Sequence, residues 1–206
     1  MSFSHVTKFL LAFLAIGLCS APALAQQPFD PLSSSEIELA KGVLLNDLRV
    51  RQSLGSNPRY VIINVERHNE DKSLVTGRRR ADVMLYNYTT DETTTAVVNL
   101  AGTPAIDAIR VTKDMPPPLG AEEVETATQL ALANSAVQSR LQSAGVAGSD
   151  PQLIVTHLFG RTDDTSDPCS KNRCVLLFFN TESAFLFSAA VDLTERRVRS
   201  LDAFAR

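Results

Sequence analysis

Residues 58–100 read PRYVIINVERHNEDKSLVTGRRRADVMLYNYTTDETTTAVVNL, and residues 151–193 read PQLIVTHLFGRTDDTSDPCSKNRCVLLFFNTESAFLFSAAVDL. The two stretches superimpose without a gap at a constant offset of 93 and share eight identities: Pro58/Pro151, Asp71/Asp164, Ser73/Ser166, Arg80/Arg173, Asn87/Asn180, Ala96/Ala189, Val98/Val191 and Leu100/Leu193. Each stretch holds β-branched and aromatic runs broken by polar turns, the pattern of a strand, a long loop and a hairpin. Tyr60-Val61-Ile62-Ile63 opens the first strand and Ala81–Tyr88 forms the second. Turn residues Thr89–Glu92 lead to a third strand, and a short fourth covers residues 105–111.

Upstream of each block lies a helix. Residues 32–54 superimpose on residues 119–141 at an offset of 87, with seven identities that include Glu36/Glu123, Ala40/Ala127, Val50/Val137 and Leu54/Leu141. Ser33 with Glu36 three residues on is a capping box. Ile37, Ala40, Val43, Leu44 and Leu48 then recur at helical spacing. Six extra residues near Gly145–Asp150 change the offset from 87 to 93, in a loop, where insertions are tolerated. The fold class is therefore α+β. Two tandem units are expected at residues 32–112 and 113–206, each one helix packed on a curved antiparallel sheet of about four strands. Met115-Pro116-Pro117-Pro118 joins them, since such a run suits neither helix nor central strand.

Residues 1–25 read as a secretory leader. Lys8 precedes an apolar run over residues 9–18, and Ala23-Leu24-Ala25 offers a cleavage site between Ala25 and Gln26. Residues 26–31 form a short extended segment. The chain is thus expected to be secreted or periplasmic, with no membrane span once processed. Losing Lys8 takes the net charge from −3 to −4, a balance unsuited to nucleic acid or an anionic membrane. Cys169 and Cys174 remain after Cys19 departs, and an even pair in an oxidising compartment favours a disulfide. A metal half-site is the alternative, but a second pair of soft ligands is lacking.

Chemical motifs are sparse. His68 and His157 stand apart, and both read as ordinary structural or solvated residues. Asp163, Asp164 and Asp167 miss calcium-loop spacing. No G-x-S-x-G elbow or glycine-rich phosphate loop occurs. Catalytic, cofactor and metal residues are therefore expected to be none. Arg78, Arg79, Arg80, Arg196, Arg197 and Arg199 form two basic clusters that could meet an acidic partner, though such runs are usually solvated surface. Asn87-Tyr88-Thr89 is a formal glycosylation sequon.

Pro28-Phe29-Asp30-Pro31-Leu32-Ser33 with Glu36-Ile37 resembles the opening of the N-terminal region of copper amine oxidases. Arg80–Tyr86 followed by Ala96–Leu100 is similar to strands of their second N-terminal domain, and Met115–Leu119, Glu122-Glu123 and Val137–Leu141 look like the start of their third. The resemblance implies a cystatin-like fold for both units. It also implies an interaction or accessory role with an unidentified protein partner, an amine oxidase or another exported protein. An accessory subunit of a quinone-copper oxidase is the alternative, and a small-ligand binder a weaker one. That family's quinone tyrosine stands in an N-Y-[DE] setting and its copper needs three histidines. Here Tyr88 is followed by Thr89, and the processed chain holds two histidines. Cystatin-type protease inhibition would need a Q-x-V-x-G hairpin and a tryptophan, both absent.

Overall fold

A computed structural model describes residues 30–69, 79–113, 115–150, 153–160 and 165–202. The leader, Cys19, the Ala25/Gln26 junction, Asp71, Ser73, Arg78, Pro151, Asp163 and Asp164 lie outside the described residues. Two four-stranded antiparallel sheets follow one another along the chain, each preceded by helices. The first has β1 (Tyr60–Arg67), β2 (Arg80–Asn87), β3 (Glu92–Asn99) and β4 (Ala105–Lys113), in that spatial order. The second has β5 (Ile154–Gly160), β6 (Cys174–Asn180), β7 (Phe185–Asp192) and β8 (Arg197–Leu201).

The expectation of one helix per unit is corrected to two. The first unit has α1 (Ser34–Asn46) and α2 (Leu48–Leu54), and the second α3 (Ala121–Leu132) and α4 (Ser135–Ser143). Asp47 breaks the first helix: its backbone is extended, and its carboxylate accepts from Arg49 N at 2.9 Å to start α2. Asn134 does the same 87 residues later, accepting from Ala136 N and Val137 N. A short polar side chain that can cap is what lets the chain restart a helix at an angle.

The helix pair buries one face on the sheet. Ala40, Leu44, Val50 and Leu54 pack against Ala81, Val83, Leu85, Ala96 and Val98. Their counterparts Ala127, Ala131, Val137 and Leu141 pack against Val175, Leu177, Phe179, Phe187, Ala189 and Val191. Each fully buried Leu or Val contributes about 1.5–3 kcal/mol through surface removed from water. Phe179 and Phe187 stack with ring centroids 4.6 Å apart.

The sheets do not repeat at one offset. β3 and β7 keep 93, but the inward residues Ala81, Val83 and Leu85 of β2 answer to Val175, Leu177 and Phe179 of β6, which is 94. In β1 a bulge inserts Ile63 between the rungs of Ile62 and Asn64, and β5 pairs with β6 without one. Ile62 therefore matches Val155, whereas Val65 matches His157, an offset of 92. His157 thus occupies the place of Val65 and not, as the gapless alignment has it, of Asn64. Likewise Arg80/Arg173 and Asn87/Asn180 are neighbours in sequence register but not equivalents in space. The bulge leaves Ile63 and Asn64 on the same outward face, so Ile62 and Val65 both face the helices, and because a one-residue slip otherwise exchanges faces, rungs and not numbering identify the equivalents.

Candidate functional site

The richest polar constellation lies where the two units meet. Glu123 occupies the first turn of α3, and Arg173 directly precedes β6; both side chains are essentially inaccessible, at 1% and 0% exposure. Arg173 Nε donates to Glu123 Oε1, and its Nη2 to Oε2 at 2.7 Å. Two of the three remaining guanidinium protons reach the linker, Nη1 to Pro117 O at 3.0 Å and Nη2 to Pro118 O at 2.8 Å. Glu123 also accepts from Gly120 N at 3.0 Å and from the Tyr88 hydroxyl, across the junction, at 2.6 Å. The carboxylate thus has four donors, which is what a buried charge needs.

Aromatic rings close over this pair, Tyr86 and Tyr88 from the first unit and Phe159 from the second. Arg173 lies 4.6 Å from the Tyr86 ring and 5.1 Å from that of Phe159. Tyr86 and Tyr88 meet edge to face at 5.1 Å. Both phenols are pushed well above the usual tyrosine range, chiefly by burial, with the charge of Glu123 adding to the effect at Tyr88 and a bond to Asp91 at Tyr86. Arg59 completes the seam, donating from Nη2 to Leu193 O at 3.0 Å and from Nη1 to Thr194 O, with its plane 5.3 Å from the Tyr88 ring. Beneath the rings, Val61, Ile63 and Tyr86 form a buried patch on the face of the first sheet that points away from its own helices. Gly120 fits here because it lacks a side chain: a Cβ would stand 3.2 Å from both Cα and O of Ile63.

The same clamp occurs in the first unit. Arg79 Nε donates to Glu36 Oε1 at 2.7 Å, and its Nη2 to Glu36 Oε2 at 2.9 Å and to Pro31 O at 2.7 Å. Ser33 N donates to Glu36 Oε2 at 2.8 Å. Arg79, not Arg80, is therefore the counterpart of Arg173, in line with the offset of 94. This copy is more open, with side-chain exposures of 12% and 16%. The bonds from Arg79 hold the Glu36 carboxyl at a pKa of about 2.

The other singled-out residues scatter. Arg80 pairs with Asp107 at 2.9 Å, and Arg199 with Asp192 and Glu195. Arg197 is exposed and pairs with Glu195. Arg196 is exposed on a left-handed turn (φ 55°) and, with Arg59, Tyr60, Glu122 and Thr126, bounds a cleft of about 260 Å³ beside the seam. Cys169 and Cys174 form the expected disulfide, which closes the loop carrying Arg173. Asp167 caps the short helical turn there by accepting from Cys169 N. His68 pairs with Asp82 at 2.8 Å in the first unit. In the second, Thr128 spends its hydroxyl proton on Val124 O, so it is His157 Nε2 that donates to Thr128 Oγ1, at 2.7 Å. Burial lowers the pKa of His157. Asn87 is 1% exposed, with Nδ2 on Ser53 O and Oδ1 accepting from Thr89 N, so the sequon is closed in the folded protein.

Among the described residues, no group of three or more His, Cys, Asp and Glu is placed to hold a metal ion, and no helix is long and apolar enough to cross a membrane. Sequence reasoning identified Glu36 and Glu123 as helix-start acids but missed the clamps. Their signal was the pairing of each acid with an arginine before the second strand and a proline-rich entry segment. No protein-family model matches the chain, and no curated protein matches it.

Proposed function

We propose that this is an exported, non-catalytic protein-interaction module of two clamped units, related in design to the N-terminal domains of copper amine oxidases. One observation carries the reading. The outward face of the second sheet is apolar where that of the first is polar: Leu158 and Leu176 stand in the rung occupied by Glu66 and Asp82. Ile154, Leu158 and Phe185 are exposed there, at 44%, 55% and 61%. Exposed apolar residues grouped on one face mark contact surfaces. The Glu123–Arg173 pair supports the reading from another side: the carboxylate is buried and filled by four donors, one of them the Tyr88 hydroxyl of the other unit, so it serves the junction and is closed to a substrate.

Affinity capture of tagged protein from its native extracellular or periplasmic fluid tests this. A partner retained by the native chain and lost by Phe185→Glu is the expected result. Reproducible absence of any partner overturns it, as does purified protein that carries stoichiometric copper or stains for quinone. Co-purification of a chain bearing the H-x-H and N-Y-[DE] motifs instead makes this an accessory subunit.

A further inference from the structure

Four strands lie at sheet edges: β1, β4, β5 and β8. An edge offers a row of unpaired backbone groups, and proteins guard edges with charges and bulges. β1 has both, Glu66 and Arg67 at its end and the Ile63 bulge in its middle. β4 carries Asp107, Arg110 and Lys113, and its register shifts at Asp107. β8 carries Arg197 and Arg199, and its register shifts at Arg199. β5 has neither device. It pairs with β6 over seven consecutive residues without a shift, and its sequence, IVTHLFG, holds no Asp, Glu, Lys, Arg or Pro. His157, its one titratable residue, faces the helices and is engaged with Thr128. Ile154, Thr156 and Leu158 are exposed in alternation on the other face. Among the described residues, β6 is its only strand partner.

We propose that β5 pairs antiparallel with β5 of a second copy of this chain, about a two-fold axis at Thr156. The strand is self-complementary in that register. Ile154 comes opposite Leu158 of the second copy, Val155 opposite His157, and Thr156 opposite itself, so each exposed apolar side chain gains an apolar neighbour and no like charges are opposed. Two four-stranded sheets become one of eight, and the contact is isologous, which consumes the free edge and stops at the dimer. The inference rests on the interaction reading above and adds to it a contact with a second copy, made through the strand edge and not through the sheet face that carries Phe185.

Sedimentation equilibrium on the full chain, expressed with its own leader, tests it from micromolar to millimolar concentration. The expected result is a monomer–dimer equilibrium that Thr156→Lys weakens by at least about tenfold, because two ammonium groups then face each other on the axis. Thr156 is exposed, so at concentrations where the native chain is monomeric the thermal midpoint of the variant should match it. Thr156→Cys should yield a disulfide-linked dimer on mild oxidation, since the axis brings that position against itself. A monomer at all concentrations overturns the proposal, and so does a dimer indifferent to Thr156→Lys. Phe185→Glu should leave the dimer intact, so loss of a captured partner in that variant and loss of the dimer in Thr156→Lys fail separately. A different protein captured by the native chain and lost by Thr156→Lys, with no dimer formed, also overturns the second-copy assignment, while leaving the interaction reading in place.

Discussion

The two Glu–Arg clamps are built alike and differ in what covers them. Each ties the first turn of a helix to the residue entering the second strand, and each arginine takes a carbonyl of the proline-rich segment that leads into the unit. Glu36 and Arg79 keep a measurable share of their surface in water. Glu123 and Arg173 keep none, because Tyr86, Tyr88 and the Ile63 bulge of the first sheet lie over them. The first clamp therefore organises one unit, while the second also fixes how two units sit together. Taking a charge out of water is repaid only when every bond is made, so the buried copy is far less tolerant of change.

The largest effect should separate the copies. Arg173→Met strands a buried carboxylate and is expected to cost about 3–5 kcal/mol in urea unfolding, whereas Arg79→Met should cost distinctly less, because Glu36 keeps access to water. Equal losses would break the distinction between the clamps. Gly120→Ser comes next. The close backbone of Ile63 leaves little room for a Cβ, and about 1–3 kcal/mol is expected from the overpacking. Its counterpart Ser33→Gly gives up a capping hydroxyl and should cost only about a few tenths of a kcal/mol. A Gly120→Ser variant as stable as the native chain would place the seam further from the bulge than described.

Replacing both Cys169 and Cys174 with Ser should cost about 2 kcal/mol, the chain entropy of a loop this short. Since Arg173 lies within that loop, the loss should shrink when Arg173→Met is already present, and a double-mutant cycle reads that coupling. pH acts on the more open clamp. The carboxyl of Glu36 sits at about 2 in the folded chain against 4.5 unfolded, so its contribution is complete above 4.5 and is lost as pH falls toward 2. An NMR titration should find that value and return it toward 4.5 in Arg79→Met. His157 has the same sign from a different cause: burial depresses its folded pKa, so its neutral form supports the second unit above about 6.5, and stability declines as pH falls below that. Thr128→Val should leave this decline in place, because the bond to Thr128 survives protonation at Nδ1. The smallest expected effect is none at all: intact mass of the folded protein from a glycosylating host should show no glycan on Asn87.

Much of this was legible from residue order. The α+β class, the tandem arrangement, the disulfide and the amphipathic faces over residues 34–54 and 121–143 follow from local spacing. The helix repeat holds at 87 throughout because helical periodicity and capping are settled within a few residues of chain. The break at Asp47 and Asn134 is written in the sequence as a capping residue in mid-pattern, but the apolar stripe that runs on through it hides the break. The strand offset could not be read in the same way. Three consecutive arginines, Arg78, Arg79 and Arg80, look interchangeable along the chain. Which one meets Glu36 depends on which face each takes, and that depends on rungs and bulges set by partners tens of residues away. The same holds for Ile63, which has no distinguishing mark in a run of β-branched residues and becomes the contact point for Gly120 only through the bulge. Local physics determined the elements and their order. Long-range pairing decided which copy of the clamp would be buried, because burial belongs to two surfaces meeting and not to either sequence alone.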